Sequence, residues 1–104
     1  MSTLQEFKQD IEIGDSIIGI EYKEAIFDSD INDFISEYTI KNINPKLAKL
    51  RLVIKKTSKG IYVKNIDGDI SYIEYPKAKD FVYNDNIFTI TYPLLSQITY
   101  QIIK

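Results

Sequence analysis

The side chains that most often carry out catalysis are missing from this 104-residue chain, which has neither histidine nor cysteine. Histidine is the commonest general base and cysteine the best thiol nucleophile, and together they supply most zinc and transition-metal ligands. The four glycines stand singly, so there is no glycine-rich loop to hold a phosphate. The sequence therefore favours binding over catalysis, and we expect no enzyme activity, no cofactor and no metal.

Carboxylates that lie close together in the sequence are the remaining candidates for chemistry. The segment Asp67-Gly68-Asp69 brings two of them together, but aspartate beside glycine is typical of a hairpin turn. Asp28, Asp30 and Asp33 are similar to the start of a calcium loop, which also requires a turn glycine and a later bidentate glutamate. Neither follows at the required spacing, so turn formation and helix capping explain these aspartates without a metal.

Charge is segregated along the chain, although the net charge is only −2. Residues 1–44 contain ten acids and three lysines, residues 45–64 contain seven bases and no acid, and residues 65–104 contain five acids and three lysines. Blocks of like charge are typical of interaction segments. The acidic and basic segments therefore predict two alternative binding surfaces, and they also allow pairing with each other, within one chain or between two copies.

The acidic surface is predicted on an amphipathic helix near residues 29–39. Ile31, Phe34, Ile35 and Tyr38 follow the i, i+3, i+4, i+7 spacing of one helical face, and acids occupy a neighbouring stripe. The alternative is an ordinary solvated face. The predicted contacts with a basic partner are Glu21, Glu24, Asp28, Asp30, Asp33, Glu37 and Tyr38.

The basic surface is predicted on the hairpin of residues 46–64. Alternation places Arg51 and Lys55 on one face of the first strand, and Tyr62 and Lys64 on one face of the return strand. These four side chains suit a nucleic-acid backbone, with tyrosine stacking on the bases. The acidic overall balance argues against that partner, and lysines also protect edge strands from aggregation.

Isoleucine, tyrosine and phenylalanine dominate the apolar residues, and these side chains suit a pleated sheet. A meander of three antiparallel strands is predicted over residues 50–75, with a two-residue type I′ turn at Asp67-Gly68. Further strands are predicted at Ile11 to Ile13, Ser16 to Tyr22, Phe81 to Tyr83 and Ile87 to Tyr92, and a short helical turn at Thr3 to Lys8. The tail, residues 94–103, fits a helix through Leu95, Ile98 and Ile102 or a strand through Ile98, Tyr100 and Ile102, and its Thr and Tyr content favours the strand.

The resulting fold class is α+β, a mainly antiparallel sheet with one amphipathic helix; a β-sandwich with a helical insertion is the alternative. Residues 1–104 are expected to form a single domain, because no linker or repeat interrupts the chain. We expect a cytoplasmic protein that does not enter a membrane, since there is no cysteine, no signal-peptide pattern and no apolar stretch of about 20 residues.

In general character the chain resembles bacterial immunity proteins and other toxin-neutralising partners, being small, acidic, rich in Ile, Lys, Asn and Asp, and without catalytic side chains. The resemblance implies a non-catalytic inhibitor of a basic protein such as a bacterial nuclease toxin, whose cationic cleft clustered carboxylates would complement. A nucleic-acid-binding β module using residues 46–64 and a structural subunit of a homo-oligomer are the alternatives. We expect a monomer or a weak dimer.

Overall fold

The computed structural model describes residues 3–92 and 96–104. One α-helix, a single 3₁₀ turn at Ala78–Asp80 and eight strands account for the regular structure of these residues. The elements are α1 (Thr3–Asp10), β1 (Ser16–Asp28), β2 (Asp33–Lys41), β3 (Arg51–Lys56), β4 (Gly60–Lys64), β5 (Ile70–Glu74), β6 (Phe81–Asn84), β7 (Ile87–Tyr92) and β8 (Ser96–Ile103).

The described strands form one antiparallel sheet in the order β5-β4-β3-β1-β8-β7-β6, and β2 pairs with the outer half of β1. The predicted class, a mainly antiparallel sheet with one helix, is therefore confirmed. A β-sandwich would need two sheets packed face to face, whereas the described strands are hydrogen-bonded into one continuous sheet.

The predicted meander is present as β3, β4 and β5, and residues 96–103 are a strand, as their Thr and Tyr content favours. Pro93 and Leu95, at the start of the helical alternative for the tail, lie outside the described residues. The prediction of a two-residue type I′ turn at Asp67-Gly68 is wrong, because residues 65–69 form a five-residue loop between β4 and β5. In that loop Asn65 Oδ1 accepts from the Asp69 amide at 2.9 Å, and of its residues only Gly68 has a positive φ. Asp85-Asn86 forms the two-residue turn instead, with φ of 50° and 64°.

The helix predicted near residues 29–39 is wrong, because this segment is the turn and strand of a hairpin with β1. Its apolar spacing fits a helix, but Phe34, Ile35, Tyr38 and Thr39 are aromatic or β-branched side chains that suit a strand. Asn32 has a φ of 53°, which stops a helix and completes the turn. The strand preference of these residue types and the pairing with β1 therefore make the segment a strand and not a helix.

The α-helix of the described structure is α1, which extends over eight residues where the sequence predicts a short helical turn. Leu4, Phe7 and Ile11 are buried along one side of it, at i, i+3 and i+7. Lys56 from β3 donates to the carbonyls of Lys8 and Ile11 at 2.8 and 2.6 Å, which satisfies carbonyl groups at the helix end. The strand predicted at Ile11 to Ile13 is therefore wrong: these residues lead from the helix into a turn.

The core lies between α1 and the concave side of the curled sheet. The Phe7 ring is 6.2 Å from that of Tyr75, which follows β5, and 5.0 and 5.5 Å from those of Phe81 and Tyr83 on β6. Because β5 and β6 are the two ends of the sheet, α1 fills the opening between them. No helix in the described parts of the chain is long and apolar enough to cross a membrane.

Candidate functional site

A long two-stranded arm projects from the sheet and holds most of the predicted acidic contacts. The arm is defined here as residues 22–41, the length over which β1 pairs with β2. Among residues 3–92 and 96–104, no buried apolar side chain lies between Ile17 and Val53, so the arm adds nothing to the core. Phe27, Ile31 and Ile40 are instead 51%, 60% and 68% exposed. Only exposed apolar side chains that contact one another, as the rings of Phe27 and Phe34 do, are typical of a surface that binds a partner.

Three aspartates lie at the tip of the arm. Asp28 and Asp33 face each other directly across the two strands, and Asp30 lies in the turn between them. Asp28 Oδ1 accepts from the Asp30 amide at 2.9 Å, and Asp33 Oδ1 accepts from the Phe34 amide at 2.8 Å. Like charges directly opposite one another destabilise a strand pair. The tip therefore carries an electrostatic cost, which suggests that its charge serves another purpose.

The ion pairs of the described residues leave the tip aspartates without a cationic partner. Lys23 pairs with Glu21 at 3.5 Å and Lys104 pairs with Asp15 at 2.8 Å, and no ion pair joins the arm to the basic residues 45–64. The sequence allows the acidic arm to pair with the basic residues 45–64 within one chain, but the described residues form no such ion pair. The arm, with five acids and two lysines, stays strongly negative.

The other predicted contacts are distributed along the arm and at its base. Glu37 and Tyr38 are neighbours on β2, so their side chains lie on opposite faces of the hairpin. Glu24 accepts from the Tyr22 hydroxyl at 3.1 Å, and burial together with this carboxylate raises the pKa of Tyr22. Glu21 lies just before the arm and pairs with Lys23, so it is the least available of the set.

One edge of β2 is open. Within the described structure β2 pairs with β1 alone, so the other edge of Asp33–Lys41 has no strand partner. An exposed strand edge can accept a strand from another chain. The sequence pattern predicts a helix here and so misses this open edge, although the aromatic and β-branched residues Phe34, Ile35, Tyr38 and Thr39 favour a strand.

The four residues of the predicted basic surface do not share a face. A β-bulge between Val53 and Lys55 adds a residue to β3, which turns Lys55 outward while Arg51 faces the interior and is only 7% exposed. Lys55 Nζ lies 5.7 Å from the centre of the Tyr62 ring. Lys64 is exposed on the same side of β4 as Tyr62.

The outer face of the meander also has a feature that the sequence did not suggest. The rings of Tyr62 and Tyr72, which are paired across β4 and β5, lie 4.8 Å apart. Lys55, Tyr62, Tyr72 and Lys64 therefore form a small exposed cluster of aromatic and basic side chains. Tyr72 pairs with Tyr62 because the loop before β5 is five residues long, and this loop length sets the register of β5 against β4. The sequence pattern alone does not give that register.

Arg51 lies beside an open cavity of about 510 Å³ inside the curl of the sheet. The cavity is bordered by residues 71–76 of β5 and the segment after it, and by the concave faces of β7 and β8. Arg51 Nε and Nη2 are buried, and neither has a hydrogen-bond partner among the residues that the structure describes. Its guanidinium carbon lies 5.7 Å from the centre of the Tyr100 ring.

Two tyrosines that border this cavity, Tyr75 and Tyr92, have raised pKa values and are therefore neutral phenols. Burial raises the pKa of Tyr75, with a further contribution from Tyr72, and burial raises the pKa of Tyr92, with a further contribution from Tyr100. The cavity thus combines one buried cation with uncharged hydroxyl groups and apolar walls. No three acidic side chains in the described part of the chain come close enough to hold a metal ion.

Comparison with known proteins gives no relative from which a role can be transferred: no family model matches the chain, no curated protein matches it, and no solved structure matches it. The functional argument therefore rests on the arm, the outer face of the meander and the cavity.

Proposed function

We propose that this chain is a non-catalytic, cytoplasmic protein-binding domain that neutralises a basic protein partner through its acidic arm. The observation that carries the proposal is that residues 22–41 add no buried apolar side chain to the core yet expose both carboxylates and aromatic rings. A hairpin that contributes so little to folding is well placed to contribute to recognition.

Charge complementarity supports a basic partner. The tip aspartates have no cation of their own among the described residues, so an incoming lysine or arginine gains attraction without first breaking an ion pair. Complementary charge mainly raises the association rate and specificity of a complex. A cationic cleft such as that of a bacterial nuclease toxin, the partner implied by the resemblance to immunity proteins, fits these features.

Apolar side chains and the strand edge supply what charge alone does not. The rings of Phe27 and Phe34 pack edge-to-face at a centroid distance of 5.4 Å, and both are exposed. Exposed aromatic groups become binding hot spots when a partner buries them. The open edge of β2 allows backbone hydrogen bonds to a strand of the partner.

The test compares two variants with the same change of net charge. In the arm variant Asp28, Asp30 and Asp33 become Asn, which keeps the amide-accepting oxygens of the tip. In the control Glu12, Asp67 and Glu74, exposed carboxylates outside the arm, become Gln, Asn and Gln. Each is used to purify partners from the native host, and the captured protein is then titrated calorimetrically.

We expect wild type and control to capture the same basic protein and the arm variant to lose it. The association rate with that protein should fall steeply with added salt for wild type and control. A captured partner that is acidic, or one that binds the arm variant as tightly as the control, would contradict the proposal.

A second candidate, nucleic-acid binding, is favoured only by the exposed cluster of Lys55, Tyr62, Tyr72 and Lys64. Replacing Lys55 and Lys64 by Ala should then abolish retention of single-stranded nucleic acid and flatten its salt dependence. A third, self-association through the edge of β2, predicts a concentration-dependent mass in light scattering. Under the arm proposal, the lysine variant leaves the captured basic protein bound and the mass stays that of a monomer.

A further inference from the structure

The cavity beside Arg51 is unrelated to the arm and has its own unexplained feature. Only 7% of the Arg51 surface is exposed, and neither Nε nor Nη2 has an acceptor in the described structure. An unpaired buried charge is among the most costly groups in a folded protein. Its contact with the Tyr100 ring compensates for only part of that cost.

None of the described residues offers Arg51 a carboxylate within ion-pair distance. The ion pairs of residues 3–92 and 96–104 involve other side chains, and the only acid that borders the cavity, Glu74, is exposed at its edge. The missing acceptor would therefore come from outside the chain. A planar guanidinium matches a carboxylate or a phosphate, both of which accept two parallel hydrogen bonds from it.

Charge balance favours a carboxylate over a phosphate. Of the described residues that border the cavity, only Arg51 is basic, and one positive charge neutralises a single negative charge. A phosphate monoester carries about −1.5 to −2 at neutral pH, so burying it here would leave excess charge in an apolar site.

The walls describe the rest of the ligand. Leu47, Ile73, Ile90 and Ile98 border the cavity together with tyrosine rings, and its volume of about 510 Å³ lies within the range of small-molecule sites. Apolar walls with a few fixed polar groups are typical of sites that hold an apolar body by its charged end.

We propose that this cavity binds a small monocarboxylic acid with an apolar body, and that Arg51 binds its carboxylate. The apolar body lies against the isoleucine and leucine side chains, and the hydroxyl groups of Tyr75 and Tyr92 remain available as hydrogen-bond donors. The bound carboxylate supplies the buried guanidinium with acceptors, and the apolar body excludes water from the cavity.

Octanoate is a suitable probe, because it joins a carboxylate to a flexible apolar chain. Calorimetric titration and methyl chemical shifts of the isoleucines should show saturable binding of octanoate to the full chain. Two matched probes separate the contributions: 1-octanol keeps the apolar body without charge, and octyl phosphate replaces the carboxylate by a phosphate. We expect octanoate to bind more tightly than either.

Arg51→Met should weaken octanoate binding about 10- to 100-fold, the loss of charge-assisted hydrogen bonds, and leave octanol binding unchanged. Lys55→Met removes a cation from the exposed face of the same strand and should have no effect. Ser71→Trp, which places a large ring at the border of the cavity, should block octanoate even where Arg51 is intact, which guards against misreading a folding defect of the Arg51 variant.

Equal binding of octanoate and octanol, undiminished binding by Arg51→Met, or no saturable binding of octanoate would each overturn the proposal. Tighter binding of octyl phosphate than of octanoate would overturn the choice of carboxylate. None of these outcomes bears on the acidic arm, so the two proposals stand or fall separately.

Discussion

The guanidinium carbon of Arg51 lies 5.7 Å from the centre of the Tyr100 ring, on the concave side of the sheet. This pairing joins β3 to β8 across β1, the strand between them. It places the buried guanidinium against an aromatic face, while Nε and Nη2 have no acceptor among the described residues. The Arg51 guanidinium therefore lowers the stability of the unliganded protein, while under our proposal it binds the carboxylate of the ligand.

Arg51→Met should make the unliganded protein more stable. A buried donor that lacks a partner costs about 1–3 kcal/mol, and methionine fills similar space without polar atoms. We expect urea unfolding at neutral pH to show a gain of this order, reduced by the lost contact with Tyr100. Tyr100→Leu, which removes the ring and keeps the cation, should destabilise the protein, so opposite signs for the two variants are the diagnostic result. A clear loss of stability in Arg51→Met would mean that the guanidinium is satisfied within the chain.

Gly19→Ala should destabilise the fold because the connection between β2 and β3 passes directly over this residue. A β-carbon at position 19 would lie 2.6 Å from the Leu47 carbonyl oxygen and 2.8 Å from Ile43 Cδ1. The Gly19 amide also donates to that oxygen at 2.7 Å. Overpacking of this kind costs about 1–3 kcal/mol.

Urea unfolding and amide hydrogen exchange measure this effect. Exchange at residue 19 should accelerate in Gly19→Ala, because the connection must move away from β1. Ile20→Val changes the exposed neighbour on the same strand and should stay within about 0.5 kcal/mol of wild type. Wild-type stability in Gly19→Ala would show that the connection moves away at no cost.

Tyr83 should make the protein less stable at high pH. Burial and the hydrogen bond from its hydroxyl to Asp10, 2.9 Å long, raise its pKa from 10.0 to about 12. The folded state thus favours the protonated phenol, so its contribution is complete below pH 10 and is lost as pH rises from about 10 to 12. Each unit of pKa difference corresponds to about 1.4 kcal/mol, which is an upper limit near the surface.

Tyr83→Phe isolates this contribution from that of the other seven tyrosines. The variant should lose about 1 kcal/mol at neutral pH with the hydrogen bond to Asp10. Its stability should also fall less steeply than that of wild type between pH 10 and 12, as measured by urea unfolding. Parallel pH profiles for the two proteins would refute the assignment.

The sequence predicts those elements whose local signals agree with one another. β3, β4, β5, β6 and β7 have alternating or β-branched side chains and turn residues between them, and all five are present. Residues 29–39 carry conflicting signals, since Ile31, Phe34, Ile35 and Tyr38 fit a helix while the residue types fit a strand. Pairing with β1 resolves the conflict, and this long-range contact is not visible in local periodicity.

The site residues divide in the same way. The acids of the arm are identified by composition alone, although the element that holds them is a hairpin and not a helix. Arg51 is identified as a basic residue but placed on the wrong face, because one bulge in β3 separates it from Lys55. A bulge inverts alternation by a single residue, and nothing in the segment Val53-Ile54-Lys55 marks its position. The cavity depends on the curl of the whole sheet, which sequence patterns do not reveal.

Asp33→Asn should stabilise the arm at low salt. Asp33 lies directly opposite Asp28, and replacing one carboxylate removes a like-charge pair while an amide oxygen still accepts from the Phe34 amide. Cross-strand pairs contribute about 0.2–1 kcal/mol, so a gain within this range is expected. Glu74→Gln serves as the control, because the cross-strand neighbour of Glu74 is Gly60 and no charge pair is removed. Thermal unfolding at 10 mM and 500 mM salt, chosen as roughly a long and a short screening length, should show the gain for Asp33→Asn at low salt only. A gain that persists at high salt would arise from turn conformation instead of repulsion, and the electrostatic cost assigned to the tip would have to be withdrawn.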